Sequence, residues 1–170
     1  MKRRLVGFLL VILVASAWAQ SATSTASVID GKISVGEYTF TKTGSGITVA
    51  ARLSADAKTL FIAASAPTTG WVAIGLGSRK MSGAFMVLGF VSDGKQTVST
   101  EMGKGYTHTP VASTDVVAVV VEDAGVTTLE LSLPAAQSVK AGGVAAIAAF
   151  GLKDNAKSIH SKYSSLDIQL

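Results

Sequence analysis

The chain lacks cysteine and has very few histidines and prolines. Its 170 residues contain no cysteine, two histidines and three prolines. The absence of cysteine excludes a disulfide framework and any zinc or iron–sulfur site held by thiolates. Two histidines are also too few for the ligand set of an ordinary zinc site. Stability must therefore come from apolar packing, and about 150 residues are enough for one domain with one core.

Catalytic motifs are scarce as well. Residue counts alone do not exclude a Ser–His–Asp triad, but the sequence contains no Gly-x-Ser-x-Gly elbow and no α/β pattern around one. The acids that could form a glycosidase pair fall mostly in predicted turns, at Asp56, Asp93, Asp123 and Asp154. We therefore expect a chain without a catalytic site of its own.

The N-terminal residues predict a secretory signal peptide over 1–19. A basic start at 2–4 precedes an apolar run at 5–14 and the small-residue cleavage pattern Ala17-Trp18-Ala19. The run is too short for a stable membrane anchor, so we expect a periplasmic or secreted protein. Removal of the peptide leaves twelve basic and eleven acidic residues. This near-neutral balance gives no reason to expect nucleic-acid binding.

The remaining chain is predicted to form an all-β domain. A polar, flexible leader is predicted over 20–34 and a single domain over 35–170. Alternating or β-branched runs predict strands at 47–53, 59–66, 71–76, 84–91, 96–102, 116–121, 126–133, 144–150 and 164–170. No helix of ten residues is predicted, although 135–141 can form one turn. This pattern indicates an antiparallel sandwich or barrel.

Three local features add detail to that prediction. Asp93-Gly94 predicts a tight hairpin turn, whereas the Gly and Pro content of 103–110 predicts a loop. The β-branched run at 116–121 predicts a strand buried on both faces. The alanine-rich strand at 144–150 implies close packing, with room for something bulky opposite.

Met81 and His160 are the candidate metal ligands. Met81 lies in the turn between two apolar strands, where sulfur is either packing material or a soft ligand. His160 directly precedes the last strand, and a Met/His pair is a known ligand set for electron-transfer haem. The residues alone leave the ordinary alternatives open, since Met81 could pack and His160 could be solvated. Met86, Met102 and His108 are the rival ligands.

The segment 70–90 resembles the signature of the DOMON family, which includes the cytochrome domain of cellobiose dehydrogenase and the N-terminal domain of dopamine β-monooxygenase. The matching parts are Gly70-Trp71-Val72-Ala73-Ile74-Gly75, Met81-Ser82-Gly83-Ala84, the loop from Tyr106 to Pro110, Asp115, the strand pair 116–133, and His160 ahead of Ser165-Leu166-Asp167-Ile168-Gln169-Leu170. The resemblance covers 35–170, in the same order.

The resemblance implies an immunoglobulin-like β-sandwich of two antiparallel sheets with a ligand slot at one end. In haem-binding members the axial ligands correspond to Met81 and His160, which implies one non-covalent haem b and a role in electron transfer. Other members imply the alternative, a haem-free module that binds a sugar or another small ligand. The chain lacks the disulfides of the fungal cytochrome domains.

Further residues are expected at the slot. Trp71, Phe85, Ile159 and Tyr163 are the predicted cofactor contacts. Alternate residues of a strand face opposite sides, so Phe85 and its neighbour Met86 cannot both contact the haem. Arg79 and Lys80 would pair with haem propionates or with an acidic partner, or would simply be solvated. We expect the partner to be a separate redox protein, either a dehydrogenase or a membrane cytochrome.

Overall fold

The structure is a computed structural model that describes residues 29–170. The predicted signal peptide and the first part of the predicted leader lie outside these residues. The strands are β1 (Phe40–Gly44), β2 (Ile47–Leu53), β3 (Thr59–Ala66), β4 (Val72–Leu76), β5 (Phe85–Ser92), β6 (Lys95–Lys104), β7 (Thr107–Pro110), β8 (Val117–Asp123), β9 (Val126–Pro134), β10 (Gly143–Phe150) and β11 (Lys162–Gln169). One 3₁₀ turn at Ala135–Gln137 occupies the segment where a single turn is predicted.

Two antiparallel sheets form the domain. One has five strands in the order β1-β2-β3-β9-β8, and the other has six in the order β11-β10-β4-β5-β6-β7. The prediction of an all-β antiparallel sandwich is confirmed. Within the described residues, no helix is long and apolar enough to cross a membrane.

The main core fills the space between the sheets. Alternate side chains of each strand face inward, which explains the period-two pattern of β9, where Leu129, Leu131 and Leu133 are almost completely buried. From the other sheet, Ile74 and Leu76 of β4 pack against the same core. Each such side chain contributes roughly 1.5–3 kcal/mol when fully buried, so this core is the main source of stability.

The predicted loop at 103–110 is wrong, because Thr107–Pro110 forms strand β7. Gly105 has a φ of +60° and supplies the tight turn that returns the chain along β6. β7 is the edge of its sheet, where a proline costs no ladder hydrogen bond. The Gly and Pro residues of 103–110 therefore belong to a hairpin that ends in an edge strand.

The prediction that 116–121 is buried on both faces is also wrong. Val117 is 60% exposed, whereas Val120 faces the core and is fully buried. β8 is the edge strand of the five-stranded sheet, so its outer face is only partly covered. A continuous β-branched run does not by itself distinguish a central strand from an edge strand.

Glu130 is the one fully buried carboxylate among the described residues. It lies on the outer face of β9, opposite to the core leucines. Its Oε2 accepts hydrogen bonds from the backbone amides of Asp30 at 2.8 Å and Gly31 at 2.7 Å. The hydroxyl of Tyr38 donates to its Oε1 at 2.5 Å. Asp30 and Gly31, which belong to the stretch predicted as a leader, are therefore hydrogen-bonded to the domain.

Candidate functional site

A second apolar cluster lies on the outer face of the six-stranded sheet. Its buried members are Trp71, Ala73, Ala84, Met86 and Leu88, and the partly buried Met81, Phe90, Ile147, Ala149 and Ala156 pack against them. Outer faces of antiparallel sheets usually carry polar residues. An apolar outer face indicates that something covers it.

Small residues lie at the centre of this outer-face cluster, which we call the groove. The strand register aligns Ala149, Ala73 and Leu88 in one row. Ile147, Gly75 and Met86 form the next row. A Cβ atom at Gly75 would lie 2.8 Å from Ile147 and 3.0 Å from Ala84, so neighbouring side chains pack closely over this glycine. The larger side chains of Trp71, Ile147, Met86 and Leu88 surround the small ones.

The loop between β4 and β5 covers one end of the groove. The Ser165 hydroxyl on β11 donates to the carbonyl of Arg79 at 2.7 Å. At the other side, the amide of Gly83 donates to the carbonyl of Gly103 on β6 at 2.9 Å. The loop therefore spans the groove, and the half-buried Met81 side chain packs on the outer cluster.

Arg79 and Asp167 hold the same loop from the side. The guanidinium donates to both carboxylate oxygens, at 2.9 and 2.5 Å. This hydrogen bonding raises the pKa of Arg79 further above its usual value. Both side chains are exposed, so the pair adds little to stability, but its two-point geometry orients the loop. The predicted propionate contact of Arg79 therefore competes with Asp167.

The loop between β10 and β11 covers the opposite end. The indole Nε1 of Trp71 donates to the Ser158 hydroxyl at 2.9 Å, and Ala156 packs against the same cluster. Trp71 is consequently only 5% exposed although it lies on the outer face. A Cβ atom at Gly151 would lie 2.2 Å from the indole nitrogen, so the loop passes very close to the ring.

His160 lies in this second loop. It is half-buried, and its ring meets the Tyr163 ring edge-on with centroids 5.3 Å apart. Met81 and His160 thus belong to two loops that cover opposite ends of β4, on the same face of the sheet. Of the other predicted contacts, Trp71 belongs to the groove, Tyr163 lies on the outer face beside Ala149, and Ile159 is 88% exposed.

Phe85 does not lie in the groove. It packs against the main core between the sheets, whereas its neighbour Met86 packs against Trp71 and Met81 on the outer face. Strand alternation requires this separation. Met102 lies opposite Phe85 in the register and so shares its face, and it is 39% exposed. Of the two rival methionines, Met86 is therefore the one that lies on the same face of the sheet as Met81.

His108 already has a partner. Its Nδ1 contacts the carboxylate of Glu101, which also accepts a hydrogen bond from Ser99 at 2.9 Å. Glu101 is only 5% exposed and lies opposite Met86, so the pair borders the groove. Sequence reasoning missed Glu101, although the Asp93-Gly94 turn sets the register that places it beside Met86.

The other candidate sites are weaker. Among the described residues, no group of three His, Cys, Asp or Glu side chains could hold a metal ion. Two open depressions of about 420 and 480 Å³ are present, lined by residues such as Lys140 and Glu122. Met81 and His160 line neither of them. Both depressions are polar and wide open, so the apolar groove remains the better candidate.

Comparison with known proteins assigns the family. The profile described as "Cytochrome domain of cellobiose dehydrogenase" matches residues 29–136, which include Met81 and stop short of His160. No curated protein sequence matches the chain. The cytochrome b domain of pyranose dehydrogenase from Coprinopsis cinerea has the same fold, with 12% identity and a TM-score of 0.57 over 72% of this chain and 76% of that one.

The cytochrome domain of Myriococcum thermophilum cellobiose dehydrogenase is similar in fold to the same degree. It has 15% identity and a TM-score of 0.56, over 73% of this chain and 74% of that one. These identities are low, so the structures support the fold, and the profile match over more than half of the chain supports the family. The chain belongs to the family of the cytochrome domain of cellobiose dehydrogenase, a DOMON-type domain.

Proposed function

We propose that this chain is an electron-transfer domain that holds one non-covalent haem b in the outer-face groove, with Met81 and His160 as axial ligands. One observation carries the proposal: the loops bearing these two residues cover opposite ends of the same apolar groove. The apolar side chains of this cluster suit a flat, largely apolar group. A methionine and a histidine are a recognised ligand pair for such a group.

The chain's own residues would then hold and tune the cofactor. Haem supplies one-electron redox chemistry, and methionine ligation raises its potential. Met81 and His160 would hold the haem iron and would leave no position for substrate, so the role would be electron transfer. Trp71 would contact one side of the haem, and the apolar side chains of the cluster would exclude water. Export and a separate dehydrogenase or membrane cytochrome as redox partner belong to the same proposal.

Reconstitution with haemin tests the ligand assignment. The purified protein should bind one equivalent and show a sharp low-spin Soret band. Met81→Ala and His160→Ala should each convert the spectrum to a high-spin form. Met86→Ala and His108→Ala are matched controls that remove the rival sulfur and the rival imidazole, and both should stay low-spin. Loss of the low-spin form in a control, but not in Met81→Ala or His160→Ala, would reassign the ligands.

A haem-free module that binds a sugar or another small ligand is the second candidate. Tyr163 favours it, because this aromatic ring beside the groove is 54% exposed and could stack on a sugar. If this candidate is correct, the protein stays colourless when haemin is added. Its melting temperature should rise when an oligosaccharide is added. Tyr163→Ala should then abolish the rise.

A further inference from the structure

Trp71 is bonded to both ends of the loop between β10 and β11, which carries His160. At the start of the loop, the Trp71 carbonyl accepts from the amide of Gly151 at 2.9 Å, and the Trp71 amide donates to the carbonyl of Lys153 at 3.3 Å. Towards its end, the indole Nε1 donates to the Ser158 hydroxyl at 2.9 Å. This last bond lies two residues before His160, so it is the one that can set the position of the imidazole.

Ser158 is a fixed acceptor for the indole. Its hydroxyl donates to the carbonyl of Asn155 at 2.8 Å, and its amide donates to the same carbonyl at 2.9 Å. A hydroxyl has one proton and two lone pairs, so the proton goes to Asn155 and a lone pair receives the N–H of Trp71. The bond therefore joins the indole to a closed, hydrogen-bonded turn at 155–158.

His160 lies between two fixed points of the chain. On one side, Ser158 is bonded to the indole. On the other side, the amide of Ser161 donates to the carbonyl of Phe150, the last residue of β10, at 2.7 Å. Ile159 is 88% exposed, so the packing of its side chain contributes little to holding the loop. The position of the imidazole therefore depends on the anchored residues on either side of it.

Two glycines allow this loop to lie directly against Trp71. A Cβ atom at Gly70 would stand 2.5 Å from the carbonyl oxygen of Gly151, and one at Gly151 would stand 2.2 Å from the indole nitrogen. Trp71 is buried, and a buried indole N–H usually has a hydrogen-bond partner. The Gly70-Trp71 step in the sequence therefore fits the loop that carries His160.

We propose that Trp71 is a positioning residue, whose indole N–H holds the His160 imidazole at the groove through Ser158. The inference rests on the proposed function and adds the contact that keeps one ligand in place. The loop of Met81 is held separately, by its bonds to Ser165 and Gly103. Loss of the indole bond should therefore loosen His160 alone, whereas a general loss of stability would affect both ligands.

Spectra of the haem-loaded protein test this contact. Trp71→Phe keeps an apolar ring and removes the N–H, and Ser158→Ala removes the acceptor. Each should weaken haem binding roughly threefold to tenfold, the equivalent of one hydrogen bond, and give a partly high-spin spectrum. Added imidazole should restore the low-spin form by taking the place of His160. Adding Ser158→Ala to Trp71→Phe should change the affinity by less than about twofold, because both substitutions remove the same bond.

Two further variants are controls. Ser158→Thr keeps the hydroxyl and should bind haem like the wild type. Ser65→Ala removes a side-chain hydrogen bond of the same length, 2.9 Å to Thr128, on the five-stranded sheet, and should leave the spectrum low-spin. Unchanged spectra in both Trp71→Phe and Ser158→Ala, additive effects of these two substitutions, or a high-spin form in Ser65→Ala would each overturn the proposal.

Hydrogen exchange in the haem-free protein gives a readout that does not need haem. The indole N–H signal that disappears in Trp71→Phe belongs to Trp71, and Ser158→Ala should speed its exchange about tenfold. Amides at 155–161 should also exchange faster, while the Ile62 amide in β3 keeps its protection. If the wild type binds no haem but Ser158→Ala shows these changes, the hold on His160 stands and the proposed function fails. Unchanged exchange in Ser158→Ala would overturn the positioning role.

Discussion

Met81 lies directly against the backbone of Gly103. A Cβ atom at position 103 would stand 1.8 Å from the carbonyl oxygen of Met81. The amide of Gly103 also donates to the carbonyl of Ala84 at 2.9 Å, so this glycine is bonded to the loop that carries the proposed ligand. The position of Met81 therefore depends on the absence of a side chain in a different strand.

Gly103→Ala should displace the Met81 loop. Backbone atoms cannot yield to the new methyl group without moving the loop, so we expect a loss of about 1–3 kcal/mol in the free energy of unfolding. The haem-loaded variant should also show a mixture of low-spin and high-spin spectra. Urea unfolding and absorption spectra provide the measurements. Thr109→Ala, at an exposed position on the neighbouring β7, is the control, and an equal effect there would contradict this account.

Gly75→Val should fill the groove without unfolding the domain. Its side chain would meet Ile147, Ala84 and Met86, so we expect a loss of about 1–3 kcal/mol in the free energy of unfolding. We expect circular dichroism to remain that of a β protein while haem affinity falls at least about tenfold, the equivalent of 1.4 kcal/mol. Thr97→Val, on the exposed part of the same face, should bind haem normally. Normal haem binding by Gly75→Val would place the cofactor elsewhere.

His108→Ala should cost stability and leave the haem spectrum unchanged. The substitution removes one of the two partners of the buried Glu101 carboxylate and leaves only the Ser99 hydroxyl, and the loss of a hydrogen-bond partner by a buried group costs about 1–3 kcal/mol. Glu101→Gln should relieve part of that loss when combined with His108→Ala, because the amide carries no charge. The free energies of unfolding of both single variants and the double variant form the cycle that tests this. Simple additivity would show that the two side chains are not coupled.

Tyr38 makes stability fall at alkaline pH. Burial and the hydrogen bond to Glu130 raise the pKa of Tyr38 well above its usual range. Above about pH 10 the unfolded chain loses this proton and the folded protein keeps it, so the free energy of unfolding falls with rising pH, by up to about 1.4 kcal/mol per pH unit. Tyr38→Phe should remove this part of the slope and lower stability at neutral pH.

Urea titrations at several pH values from 8 to 11 measure that slope. Tyr106→Phe is the control, since the Tyr106 ring is fully exposed, and it should keep the wild-type dependence. A wild-type slope in Tyr38→Phe would assign the alkaline loss to other groups.

Regular strands were predictable because their signals are local. The strand at 59–66 has the predicted bounds, set by the turn at Asp56 before it and by Pro67 after it. The exposure of Val117 was not predictable, because it depends on β8 lying at a sheet edge. Glu130 shows the same limit, since its partners Asp30 and Gly31 lie about a hundred residues away in sequence.

The candidate site was also predictable only in part. Trp71 and Met81 come from one continuous motif, and the structure places them in one cluster. Alternation shows that Phe85 and Met86 face opposite sides of the sheet, but it does not show which of them faces outward. The contact between His108 and Glu101 was not predictable, because it depends on the register of the β6–β7 hairpin, which the sequence analysis treated as a loop.

The groove lies outside the main core, so the packing of the core does not depend on a ligand bound in the groove. The core between the sheets contains none of Trp71, Met81 or Met86. The core can therefore complete its packing whether or not the proposed haem is bound. Substitutions in the two loops that carry Met81 and His160 would alter the proposed haem site while the main core stays the same.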